Sequence, residues 1–152
     1  MIFFLLKKMG KLARYLRILG FDTLYCNDYE DSELARISAK EERILLTRDH
    51  GVLKRKIVKY GYFIRGDDPR HQLESVLNRY ELSEFDSTFG RCLECNTRLV
   101  PVEKEKIIDR LEPKTKKYYE EFFICPECKK IYWQGSHYED MKEFIAGIEG
   151  RR

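Results

Sequence analysis

The chain has 152 residues, of which 43% are hydrophobic and 13% aromatic, enough for one medium domain or two small ones with a real core. With 36% of residues charged and with Pro and Gly sparse, the composition excludes the disordered and low-complexity classes. The net charge of +3 does not by itself mark a nucleic-acid binder, but residues 1–60 hold 13 Lys/Arg against 8 Asp/Glu. Such an excess either attracts phosphate or is an ordinary solvated face.

Residues 2–6 form a continuous apolar run, the pattern of a central parallel strand. The run is too short to span a bilayer, and it lacks the basic-then-apolar order of a secretory signal. A cytoplasmic protein with no membrane partner is expected. Residues 10–20 place Leu12, Leu16 and Leu19 at helical spacing, with Lys11, Arg14 and Arg17 on other faces and Gly20 where a C-cap belongs. A short strand is expected over 23–26, and a helix over 31–40 with Leu34, Ile37 and Ser38 inward. A buried strand over 43–47 ends at Arg48-Asp49, and residues 52–60 read as helical. Another strand spans 62–64, and Pro69 opens a helix with Leu73, Val76, Leu77 and Tyr80 on one face. Strands alternating with helices imply βαβ units and a mainly parallel sheet flanked by helices. Cysteines and short β-rich segments replace this alternation near 85–90, which divides the chain into an α/β domain over 1–88 and a second domain over 89–152.

Four of the five cysteines form two C-x-x-C pairs, Cys92/Cys95 and Cys125/Cys128, separated by 29 residues, while Cys26 stands alone. Paired knuckles with an odd cysteine fit metal binding in a reducing compartment better than a disulfide framework. Four thiolates in a tetrahedron make a closed structural site for one zinc ion, with no open position for catalysis. So small a segment needs a metal cross-link to fold. Residues 99–102 and 118–124 are expected to form the hairpins of a C-terminal zinc ribbon. Lys104, Lys106, Lys114, Lys116 and Lys117 crowd the segment between them, as a phosphate contact or as a solvated loop. Tyr132 and Trp133 either stack a base or pack the ribbon against its neighbour. His137 is a lone histidine with a structural role as its default.

Three acidic positions follow or precede strands in ways that matter. Ligands of open α/β sheets gather at the carboxyl ends of strands, where Asp49 lies, and Asp31 and Asp67-Asp68 are placed to reach the same edge. Carboxylates meeting there would bind Mg²⁺ or Mn²⁺ and serve phosphodiester hydrolysis. Each acid also has a plain alternative: Asp31 as a helix cap, Asp49 as a cap or ion-pair partner, Asp67 and Asp68 in a turn.

The ordered set Met9 to Thr23, Asp31-Ser-Glu-Leu34, Arg43-Ile-Leu-Leu-Thr-Arg-Asp49, Gln72-Leu73, Arg91-Cys-Leu-Glu-Cys-Asn96, Cys125-Pro-Glu-Cys128 and Tyr132-Trp-Gln-Gly-Ser-His137 resembles the Mut7-C RNase domain family over nearly the whole chain. The resemblance implies a PIN-like fold joined to a zinc ribbon, and a metal-dependent ribonuclease using Mg²⁺ or Mn²⁺. It implies metal-binding acids at Asp31 and Asp49. It assigns nucleic-acid binding to Arg14, Arg17 and Arg48, with Lys11 on the same helix, and RNA as the partner. Because PIN-like domains often pair, a homodimer is also an expectation. The chain departs from the family pattern at Leu6, where an acid is usual, followed by Lys7 and Lys8. A leucine cannot ligate a hard cation, so either the pattern of the first strand is shifted, or another acid such as Asp22, Asp28 or Asp67 substitutes, or the site is crippled. Three readings therefore stand: a nuclease, an RNA-binding protein of the same fold with impaired catalysis, and a zinc-stabilised protein-interaction module.

Overall fold

The computed structural model describes residues 2–82 and 90–151. The domain boundary expected near residue 88 lies outside the described residues. Four strands, β1 (Phe3–Leu6), β2 (Asp22–Tyr25), β3 (Ile44–Thr47) and β4 (Gly61–Phe63), form a wholly parallel sheet in the order β2-β1-β3-β4. Helices α1 (Gly10–Ile18), α2 (Asp31–Glu41), α3 (His50–Leu53) and α4 (Pro69–Arg79) alternate with them.

The alternation of side chains along β1 builds two cores. Phe4 and Leu6 face one side with Leu46 and Ile64, and pack on Leu12 and Leu16 of α1 and Leu73, Val76 and Leu77 of α4. Leu5 faces the other side with Leu45, and packs on Leu34 and Ile37 of α2 and on Val52. Helix α1 stops as its sequence requires. Gly20 takes φ +96°, while the Phe21 and Gly20 amides donate to the Leu16 and Arg17 carbonyls, a closure that a residue with a Cβ makes only under strain. The helix expected over 52–60 shrinks to His50–Leu53. Val52 is the fully buried anchor of that stretch, and the exposed cations after it give a further helical turn nothing to pack on.

The ribbon is an antiparallel sheet of β5 (Val100–Val102), β6 (Phe122–Ile124) and β7 (Ile131–Tyr132). Its lysine-rich insert is helical, not a loop: α5 (Lys104–Ile107), a 3₁₀ turn at Ile108–Arg110 and α6 (Pro113–Tyr118). Ile107, Leu111 and Thr115 recur every four residues and are buried, with Ile107 and Leu111 packed on Phe122. A helix that the sequence reading does not assign, α7 (Ser136–Gly150), ends the chain. Its Met141, Ile145 and Ile148 join the core beneath α1 and α4, so the C-terminal segment completes the first domain's core. No helix among the described residues is long and apolar enough to cross a membrane.

Candidate functional site

The two knuckles are built alike. In each, the amide of the second cysteine donates to the sulfur of the first, Cys95 to Cys92 and Cys128 to Cys125, both at 3.4 Å. The residue after each pair, Asn96 or Lys129, takes a positive φ of 64° or 67° and returns its amide to the first cysteine's carbonyl. The four sulfurs lie within 4.8 Å of one another, and Cys92 Sγ is 3.6 Å from Cys128 Sγ. Tetrahedral zinc with bonds of about 2.3 Å sets its sulfurs about 3.8 Å apart, so the donor set suits that ion in type, number and spacing. Burial alone would push the Cys92 thiol up, but hydrogen bonds from the Tyr132 hydroxyl and nearby backbone amides bring it down to about 7. Cys95, beside the Cys128 and Cys92 sulfurs, is instead pushed up to about 12. Four crowded sulfurs cannot all ionise without a cation, and a bound metal would take the place of their protons.

Tyr132 therefore serves the cysteines. It is 7% exposed, its hydroxyl lies 3.2 Å from Cys92 Sγ, and it accepts from the Leu93 amide at 3.1 Å. Trp133 packs beside Tyr119 and Phe122. Both rings pack within the ribbon, Trp133 against the Ile107–Leu111–Phe122 cluster and Tyr132 among Cys92, Leu99 and Cys125. His137 is exposed in the first turn of α7.

A second site lies at the carboxyl edge of the parallel sheet. The chain leaves β1 toward β2 on one side and crosses back to β3 on the other, so the β1 and β3 ends diverge and leave a crevice. A cleft of about 740 Å³ opens there, and Asp31, Asp49 and Asp67 line it together with Lys7, Lys8, Lys11 and Arg48. Asp31 stands inside the first turn of α2 and makes no capping bond, so its cap reading is not realised. Asp49 does cap α3, accepting from the Gly51 amide at 2.8 Å. One bond leaves most of a carboxylate's acceptor capacity unused. Gln72 is 3% exposed and donates to the Gly66 carbonyl at 3.0 Å, fixing the turn that delivers Asp67. Lys8 and Met9 both adopt left-handed φ, 59° and 71°, at the cleft's edge. Two such non-glycine residues in a row store strain of about 1–3 kcal/mol each, which functional edges tolerate.

Leu6 is fully buried in the core, so the first-strand position does not present a ligand. Of the substitutes considered, only Asp67 lines the cleft. Asp28 is exposed and outside its lining. Asp22 is committed elsewhere: its Oδ1 accepts from Arg43 at 2.9 Å and from Asn96 at 2.7 Å. Among the described residues, the cysteines are the one group of three or more potential ligands whose atoms lie within 4.8 Å. The cleft acids are spread more widely.

The basic residues of α1 divide. Lys11 lines the cleft, whereas Arg14 pairs with Glu94 of the first knuckle at 3.1 Å. Arg17 is 7% exposed and donates from Nε to the Thr23 carbonyl at 3.0 Å and from a terminal nitrogen to the Leu93 carbonyl at 2.7 Å. Its guanidinium is spent on tying β2 to the ribbon, which places it apart from the phosphate-binding set expected from sequence. The same seam holds Arg91, whose amide donates to the Arg17 carbonyl at 2.7 Å, and Asn96, whose side-chain oxygen accepts from the Thr23 amide at 2.9 Å. Gly90 closes it, since a Cβ there would run into the Ile18 and Arg17 backbone.

Burial alone would raise the Asp22 pKa, but hydrogen bonds from Asn96 and Arg43, with the Arg43 and Arg91 charges, hold it below the usual 3.8. A depressed carboxylate adds stability that is complete above its unfolded pKa and fades as pH falls through the folded value. Asp22→Asn is expected to be less stable than the parent at neutral pH, with the difference shrinking below about pH 4. Urea denaturation across a pH series measures this. A gap that stays constant down to acid pH would show that the charge contributes nothing.

An open parallel α/β sheet with a charged cleft at its switch point, joined to a four-cysteine ribbon, defines the class of this protein. The Mut7-C RNAse domain model matches residues 1–145, and the chain belongs to that family. No curated protein and no solved structure matches it.

Proposed function

We propose that the protein is a metal-dependent ribonuclease of PIN-like type, with the carboxyl-edge cleft as its active site. The observation that carries this is the meeting, in one crevice, of Asp31, Asp49 and Asp67 with Lys7, Lys8, Lys11 and Arg48 from four separate segments. Lys7, Lys8, Lys11 and Arg48 would hold the RNA backbone through its phosphates. Asp31 and Asp49 would hold Mg²⁺ or Mn²⁺, with Asp67 nearby. Such an ion keeps several waters and needs only one or two carboxylates plus substrate phosphates, which suits acids this widely spaced. When bound, it supplies an acidified water and charge stabilisation at the leaving oxygen. One zinc ion on Cys92, Cys95, Cys125 and Cys128 would be structural.

Leu6 supports a second reading. Its burial in the core leaves the site one acid short and sets Lys7 and Lys8 beside the others, as in an RNA-binding protein that does not cleave. The test is incubation of labelled single-stranded RNA with Mn²⁺ and either the parent or Asp49→Asn. The amide oxygen of asparagine still accepts from Gly51, so the variant loses charge and keeps its cap. Cleavage is expected to fall by roughly 10²-fold at unchanged melting temperature, the scale on which one charge-stabilising group acts. Binding without cleavage by both proteins supports the second reading. No salt-sensitive binding by either leaves a zinc-stabilised interaction module.

A further inference from the structure

The chain leaves the cleft at Asp49, crosses over to β4 and returns to the cleft beyond that strand at Asp67, and between these two acids it contains no Asp or Glu. It contains Lys54, Arg55, Lys56, Lys59 and Arg65, all exposed. None of the five forms an ion pair among the described residues. Elsewhere Arg14, Arg36, Arg43, Lys104, Lys130 and Arg151 each meet a carboxylate. An acid-free stretch of this kind keeps its full field for an outside anion.

The same stretch exposes apolar and aromatic surface. Ile57 is 48% and Tyr60 52% exposed, two of the three largest such exposures among the described residues. At its start, His50 is exposed and stacks flat on Phe63, with ring centroids 3.7 Å apart and planes 7° from parallel. Cations interleaved with exposed rings are what an unpaired nucleic-acid strand requires, because the cations take phosphates and the rings take bases. The lobe is anchored by Val52 with the partly buried Leu53 and Val58 on the α2 side of the sheet, and by Ile64 on the other, so its charged residues do not build the core.

We propose that residues 50–66 form a docking track for single-stranded RNA, extending from the rim of the cleft along the outer edge of the sheet. This deepens the ribonuclease reading and rests on it for the nature of the ligand. The track holds the strand on either side of the bond presented to Asp31 and Asp49. It gives affinity without sequence preference, since phosphates and ring faces are common to every nucleotide.

The test is binding of a fluorescein-labelled, mixed-sequence single-stranded RNA across a salt series, without added Mg²⁺ or Mn²⁺, by the parent and by Lys54→Ala/Arg55→Ala/Lys56→Ala. Each phosphate contact on a single strand contributes a slope of about −0.7 in log K against log salt, so the triple variant is expected to lose about 2 units of slope and roughly 10²-fold in affinity at 0.1 M salt. Tyr60→Ser is expected to weaken binding about tenfold with the slope unchanged, since it removes a stacking surface and no charge. Affinity and slope equal to the parent's in the triple variant would overturn the track. So would equal competition by polyglutamate of matched charge, which would identify an acidic polypeptide as the ligand. A parent that binds RNA as described yet fails to cleave it with Mn²⁺ removes the nuclease reading and leaves the track standing. A parent that cleaves while the triple variant binds and cleaves alike removes the track alone.

Discussion

Cys125→Ser is expected to release the metal and unfold the ribbon. Cys125 is fully buried, accepts the Cys128 amide on its sulfur, and packs with Cys92, Leu99, Tyr132 and Tyr138. A serine hydroxyl does not ionise near neutral pH and is a poor zinc donor, so three thiolates remain where four are required. Structural zinc supplies about 10–16 kcal/mol to a folded ribbon, as much as the whole stability of an ordinary domain. The apolar cluster around the sulfurs is too small to replace it. The loss should extend further, because α7 follows the ribbon and carries Met141, Ile145 and Ile148 into the first domain's core. Metal analysis and urea denaturation provide the measurement, with less than stoichiometric zinc and a lower midpoint expected. A variant that retains one zinc and the parent's midpoint would exclude the cysteines as the metal site.

Arg17→Met is expected to destabilise the protein by about 3–5 kcal/mol, the scale of breaking a buried charged hydrogen-bond network. The methionine fills similar volume but leaves the Thr23 and Leu93 carbonyls without their donor. Burial lowers the Arg17 pKa, and the nearby Cys92, Glu94, Cys95 and Asp22 charges partly offset that loss. Arg17→Lys should recover only part of the stability, since one ammonium cannot reproduce the two-pronged geometry. Denaturation midpoints and RNA affinity, measured on the same variants, separate the two roles of this residue. Lost RNA affinity at parent-like stability would return Arg17 to the phosphate-binding set.

The parallel strands and principal helices were legible because their signals are local. An apolar run at 2–6, a 3.6-residue rhythm in 10–20 and Pro69 at a helix start need no knowledge of distant residues. The four cysteines were legible for a related reason, since two C-x-x-C pairs with one cysteine left over leave few alternatives to metal. The lysine-rich insert was misread because five lysines hide the four-residue recurrence of Ile107, Leu111 and Thr115. Helix α7 carried the spacing Tyr138, Met141, Ile145, Ile148, but its partner surface, which includes Leu73, Val76 and Leu77 of α4, is written nowhere near it.

The sequence by itself determined the parallel strands and the principal helices between them, the four-cysteine donor set and the acids able to serve a cleft, because each depends on residue type and short spacing. Only the tertiary structure decided which charges meet. Asp67 joined Asp31 and Asp49 at the sheet's switch point, while Asp22 and Arg17 were drawn into the seam with the ribbon. The reason is that an ionic side chain takes its role from the groups that surround it after folding, and those come from strands and loops far apart in the chain.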